Sequence, residues 1–292
     1  MAVPVRPDQP RPDQQPPAEV APEPPSEAAP KPTAETAPRY RLGGMGYQEP
    51  SGRRLDYGSY LHLEELLRQQ GGMTDAHDEL LFIVVHQAYE LWFKVIVHEL
   101  EAARDAIDAD DLTQACHLLR RVAVIEHLLI EQVGVLETMK PSDFLAFRSE
   151  LAPASGFQST QFREIEFLSG LKQPGYLERL ELAPADRERL GRRLHERTLW
   201  DAYLALLDRR GIQAPLTIYQ SQDQLRDLFE LSEALLDHDE GFSLWRSRHI
   251  HMVERQIGNK PGTGGSSGVA YLRGTLDRRF FPALWEVRSQ LE

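Results

Sequence analysis

The sequence predicts an all-α protein, a single helical bundle preceded by a Pro-rich N-terminal tail. Past Gly52, apolar residues recur at spacings of three and four among frequent Leu, Ala, Glu and Arg, the period of helices with one buried face. No pair of alternating segments bounded by turn residues suggests a sheet. Twelve of the 20 prolines fall in residues 1–40, so the rest of the chain is largely free of the residue that breaks helices.

Taken in order, residues 1–40 are Pro, Ala, Glu and Gln with almost no large apolar side chains. Such a segment cannot bury enough surface to offset its ordering entropy, and it is expected to be a disordered tail. It has no apolar core of a secretory signal, and no run long enough to span a membrane is expected. Residues 41–292 are expected to form one domain. Its helices are placed at 60–69, 76–107, 111–138, 141–150, 160–171, 184–209, 222–237, 241–257 and 280–291. Asp75, Asp78 and Glu79 put carboxylates at the start of the second, where they suit the helix dipole. Leu80 to Val85 is apolar all round, which predicts a helix buried on every side at the centre of the bundle.

Charge narrows the functional classes. Thirty-three basic residues against 45 acidic ones give a net charge of −12, which argues against nonspecific nucleic-acid binding. The single cysteine, Cys116, excludes an internal disulfide and fits a reducing, cytoplasmic compartment.

The most informative stretch is 245–268, WRSRHIHMVERQIGNKPGTGGSSG. Trp245, His249, Val253 and Ile257 fall on one helical stripe, so His249 faces the interior. Taken alone, an interior histidine is more often a core residue hydrogen-bonded to a neighbour than a ligand. Here it is followed by Gly262, Gly264, Gly265 and Gly268, with Thr263, Ser266 and Ser267 as hydroxyl donors, a loop whose backbone can approach something closely. It is no phosphate cradle: Ser267 stands where G-x-G-x-x-G needs its third glycine, and no P-loop pattern occurs.

A di-iron bundle needs Glu-x-x-His twice, and no Glu stands three residues before any His; neither H-E-x-x-H nor a cysteine zinc set is present. What remains is His86 and His249, far apart in sequence, with Phe82, Trp92, Phe93 and Trp245 as neighbours. One imidazole ligand in an aromatic pocket is what a haem protein needs, although His86 fits a carbonyl-bonded core residue equally well. A second cluster, Phe144, Phe147 and Arg148 followed by Ser155 and Gly156, sets a guanidinium beside rings and a tight turn, suited to a carboxylate on an apolar molecule. Tyr57 and Tyr60 either pack at a helix start or line a site.

Five segments, YGSYLHLEELL (57–67), HDELLFIVVHQAYELWFKVIVHEL (77–100), FRSELAPASGFQSTQFREIEF (147–167), the 245–268 stretch and FFPALWEVR (280–288), together resemble the tryptophan 2,3-dioxygenase family over most of residues 55–292. The resemblance implies haem b whose iron takes His249 as its axial ligand, with Trp245, Ser155 and Gly156 beside the cofactor. It makes His86 the catalytic distal histidine that accepts the indole N–H. It sets Phe82, Phe144 and Leu151 around the indole, Arg148 on the substrate carboxylate and Thr263 near its ammonium. Tyr57 and Tyr60 would reach into an adjoining subunit of a homotetramer built as a dimer of dimers. The implied partners are O₂ and a tryptophan-like amino acid, with no nucleic acid and no membrane. The implied reaction is 2,3-cleavage of the indole ring to N-formylkynurenine, with a one-oxygen 2-oxindole-forming reaction and a noncatalytic haem or tryptophan sensor as the alternatives. One departure stands out: the interval between Arg148 and His249 is shorter than the family pattern, as though one helical element were missing.

Overall fold

A computed structural model describes residues 56–179 and 181–291, and every regular element among them is helical. The tail placed at 1–40 and the first residues of the domain lie outside the described residues. Helix α1 (Tyr57–Tyr60) belongs to a unit, residues 1–61, separate from the one that follows. It is a single turn closed by a capping box: the Asp56 carboxylate accepts Ser59 N at 2.8 Å, and the Ser59 hydroxyl accepts Asp56 N at 3.0 Å.

The second unit opens with α2 (Leu63–Leu66) and the two long helices α3 (Glu79–Asp108) and α4 (Leu112–Leu136). Helices α5 (Pro141–Arg148), α6 (Thr160–Ser169), α7 (Gly175–Arg179), α8 (Pro184–His195), α9 (Leu199–Arg209) and α10 (Pro215–Gln220) lead to the longest, α11 (Arg226–Ile257). Two short ones, α12 (Val269–Arg273) and α13 (Pro282–Glu286), complete the set. The frame is α11 against α4 and α4 against α3, with α6 and α9 laid on α3. Ile96, Leu100 and Ile107 of α3, Leu119, Val122 and Val133 of α4, and Leu231 and Leu235 of α11 are fully buried at the three-and-four spacing.

Several expectations need correction. The helix expected at 60–69 is two single turns, because His62 takes φ 51° between them. At the start of α3, the Asp78 side chain makes no cap. Instead Glu79 is buried and folds the preceding segment around itself, accepting Met73 N at 2.7 Å, Thr74 N at 2.8 Å and the Thr74 hydroxyl at 2.6 Å. The helix expected at 184–209 breaks at Glu196, which is extended; Thr198 and Asp201 then form a capping box that starts α9. Residues 175–179, 215–220 and 269–273 are helical where the sequence predicts no helix. At the C-terminus α13 passes into a 3₁₀ turn over Val287–Gln290.

The break expected near Gly241 is absent: α11 runs through it unbroken. A Cβ on Gly241 would lie 2.6 Å from Glu126 Oε2, so this glycine lets α11 approach α4 and does not end a helix. Around it, His238 Nδ1 meets Glu126 Oε1 at 2.8 Å and His238 Nε2 meets the Ser169 hydroxyl at 2.8 Å, tying α4, α6 and α11 together. Burial pushes the Glu126 carboxyl up, and the adjacent His238 opposes it.

Nor is the apolar run in α3 buried on every side. Leu80 is 55% exposed and Leu91 52%, with Val84 exposed between them; on α4, Val124 is 66% exposed. By length and composition α3 could also cross a membrane, its most apolar window having mean hydropathy 1.6, contrary to the expectation of no such run. Its other face packs on α4, α6 and α9.

Candidate active site

A cavity of about 490 Å³ opens between α3, α5, α11 and the glycine-rich loop. Helix periodicity builds its walls. Phe82 and His86 stand one turn apart on α3, Phe144 and Arg148 one turn apart on α5, and Trp245 and His249 one turn apart on α11. Leu151, Ser155 and Gly156 follow α5 into the cavity rim, and Thr263 enters from the loop after α11. Ten of the twelve site residues expected from the sequence thus line one cavity. Tyr57 and Tyr60 belong to the other unit and are 76% and 68% exposed.

The two histidines are prepared differently. His86 donates through Nδ1 to the Phe82 carbonyl at 2.7 Å once its ring is neutral, which leaves Nε2 as an acceptor. Burial lowers its pKa, with the Phe82 carbonyl and the Glu90 carboxylate opposing. His249 stacks on Trp245, ring centroids 5.2 Å apart and planes 15° apart. Burial, reinforced by nearby His86, brings its pKa down to about 4. The ring is neutral at physiological pH, and no hydrogen bond among the described residues occupies either nitrogen.

Arg148 donates to the Pro261 carbonyl and has no carboxylate partner among the described residues. A guanidinium in a cavity wall with donors to spare is a receptor for an anion. The Thr263 hydroxyl donates to the Ala154 carbonyl at 2.6 Å, so the loop docks on the segment that follows α5. There Ser155 and Gln158 cap each other: the Ser155 hydroxyl accepts Phe157 N at 3.3 Å, and Ser155 N donates to Gln158 Oε1 at 3.1 Å.

Sequence reasoning missed a polar end of the cavity. Arg163 and Arg246 are both buried and share one carboxylate: Arg163 Nη1 donates to Glu166 Oε2 at 2.6 Å and Arg246 Nη2 to Glu166 Oε1 at 3.0 Å. Arg163 also lies over the Tyr176 ring, 4.0 Å from its centroid. The Nε of each arginine is buried without an acceptor. The Trp245 indole N–H lies beside the Tyr89 hydroxyl but makes no hydrogen bond of good geometry. Buried donors without acceptors are rare in folded proteins, and these three belong to residues that line the cavity. The signal was present in Arg163-Glu-Ile-Glu166, whose ends share a helix face; Arg246 was hidden by its place beside the apolar stripe.

One arrangement that looks catalytic is not. Ser169, His238 and Glu126 are linked as in a hydrolase triad, but the Ser169 hydroxyl donates to the Ile165 carbonyl at 2.8 Å and all three are fully buried away from the cavity.

The fold and the cavity define a class: an all-helical protein holding an aromatic pocket walled by two neutral imidazoles, with an unpaired arginine at its rim. Comparison with known proteins is specific. The tryptophan 2,3-dioxygenase family profile matches residues 44–215 and 190–291, two overlapping segments. A protein named tryptophan 2,3-dioxygenase from Nocardioides sp. is 53% identical over 256 residues, covering 82% of this chain and 96% of that protein. Those of the same name from Herpetosiphon aurantiacus and Bacillus thuringiensis are 45% and 42% identical, covering 81% of this chain and 98% and 93% of their own lengths. The chain belongs to the tryptophan 2,3-dioxygenase family.

Proposed function

We propose that this chain is a haem-dependent enzyme that opens the indole ring of L-tryptophan with both atoms of O₂, giving N-formylkynurenine. The observation that carries the reading is His249: a neutral imidazole with both nitrogens unspent, facing an aromatic cavity. The residues present fit haem b. His249, stacked on Trp245, would hold the iron, and Arg163, Ser155 and Gly156, which line the same cavity, would contact the rest of the group. When bound, the haem supplies the activation of O₂.

The protein's share is orientation and exclusion of water. Arg148 grips the substrate carboxylate with the donors left over from Pro261, and Thr263 stands beside the ammonium group. Phe82, 5.7 Å from Phe144 between ring centroids, forms an apolar wall with Leu151 against the indole. His86 Nε2 accepts the indole N–H, because Nδ1–H is already spent on the Phe82 carbonyl. That hydrogen bond holds C2 and C3 in one orientation and gives the N–H proton a defined neighbour. The exposed apolar residues of α3 and α4 support assembly into a homotetramer, a dimer of dimers, in which Tyr57 and Tyr60 reach an adjoining subunit's site. The lone cysteine and the family support a cytoplasmic location.

Product analysis under ¹⁸O₂ tests the reaction: two labels in N-formylkynurenine are expected. One label, in a product formed only with added reductant, would transfer the assignment to 2-oxindole formation, and haem binding without turnover would transfer it to a sensor. The ligand is tested separately. His249→Ala should abolish the Soret band of the purified protein while its far-ultraviolet helical signal persists; an unchanged Soret spectrum would refute the assignment.

A further inference from the structure

Two adjacent glycines in the loop after α11 are glycines for different reasons. Gly265 has φ +78°, and a Cβ there would meet nothing within 4 Å, so it is glycine for its backbone conformation. Gly264 has no such conformation. A Cβ there would lie 2.7 Å from Ser155 Cβ and 3.2 Å from Ser155 Oγ, with the next atom, the Pro153 carbonyl oxygen, at an ordinary 3.5 Å. It is glycine for room, and the room is limited by one side chain.

Both partners are held in place. Ser155 is held by its reciprocal cap with Gln158 and Phe157 N. The loop is bonded to itself through Gly262 N to the Ser266 carbonyl at 3.0 Å and Gly265 N to the Gly262 carbonyl at 3.1 Å. It is fastened to the body by Thr263 to Ala154, the contact next to Gly264.

We propose that Gly264 and Ser155 form a docking notch that sets how closely the loop seats, and so places Thr263 and the Pro261 carbonyl that orients Arg148. Gly264 is thereby a positioning residue for recognition of the amino-acid head group, which rests on the substrate reading above. Carbon atoms pack at about 3.5–4.0 Å, so a methyl group at 264 displaces the loop by roughly 1 Å. That takes the 2.6 Å Thr263 bond beyond hydrogen-bonding range.

The test is a mutant cycle in the haem-loaded enzyme, read by KM for L-tryptophan and by amide hydrogen exchange over residues 258–268. Gly264→Ala should raise KM roughly tenfold with kcat changed less, since a 1 Å misplacement of a positioning group is costly. It should also speed loop exchange and leave the Soret spectrum unaltered. Ser155→Gly removes the clashing carbon, so adding Gly264→Ala to Ser155→Gly should cost little in either readout. Gly265→Ala, strained through its backbone, should gain nothing from Ser155→Gly. Loop exchange unaffected by Gly264→Ala, or a penalty that Ser155→Gly does not relieve, would overturn the notch. Exchange that follows the cycle while KM does not would uphold the notch and overturn the head-group roles of Thr263 and Arg148.

Discussion

At the scale of single residues, the site is a set of polar groups whose ordinary partners are withheld. Arg148 illustrates the consequence. Its charge meets a carbonyl and no carboxylate, so in the proposed function the substrate's carboxylate would supply the missing anion, and losing a desolvated charge pair costs about 2 to 5 kcal/mol. Arg148→Ala should therefore depress kcat/KM for L-tryptophan by that amount while changing turnover of a decarboxylated indole far less; steady-state comparison of the two substrates decides it. Glu79 shows the opposite case, a carboxylate with all its partners. The Thr74 hydroxyl, then Met73 N, hold its pKa below the usual 4.5. Its stabilisation is complete above the unfolded-state value and is lost as pH falls through the lower folded value. Melting curves of Glu79→Gln and wild type should differ most above about pH 5 and converge in more acidic solution. His249 was legible in the sequence because its helix stripe is periodic, and Arg148 because rings and a glycine turn stand beside it. Arg163 and Arg246 were not, because a buried cation is revealed only by the acceptors it lacks.

At the scale of elements, a glycine in a helical sequence has two meanings that composition does not separate. The sequence predicts a helix break between 237 and 241, yet α11 continues through Gly241, which leaves room for the Glu126 side chain. Continuity matters for the site: it joins the buried His238–Glu126 pair rigidly to Trp245 and His249 in one helix. Gly241→Ala should be destabilising by about 1–3 kcal/mol, the usual cost of overpacking, despite the better helix propensity of alanine. Denaturant unfolding measures this, and Glu126→Gln should not relieve it, since the amide fills the same space. The break between α8 and α9 was readable in Thr198-x-x-Asp201, but the surrounding helical period concealed it. The long helices were legible because each carries several turns of one pattern; the short helices α7, α10 and α12 carry too few residues to show a period.

At the scale of the molecule, the exposed apolar residues of α3 and α4 and the exposed Tyr57 and Tyr60 make the same demand. Leu80, Val84 and Leu91 follow one face of the helix that carries His86 on another, and a face of this kind left in water is a liability unless a copy covers it. Sequence alone read the run as central to one bundle, because periodicity reports burial without saying whose surface buries it. If the proposed homotetramer forms through that face, placing a charge on it, Val84→Glu, should shift the assembly to smaller species in sedimentation and lower turnover together, since separated subunits would also withdraw Tyr57 and Tyr60 from the neighbouring sites proposed for them. Deleting residues 1–40 should do neither, because that stretch contributes almost no large apolar side chains to any interface. A deletion extended through Tyr60 should lower activity while the α3 face remains intact. Full turnover by a Val84→Glu protein that sediments as a monomer would separate assembly from catalysis and leave the two tyrosines without a role in the neighbouring site.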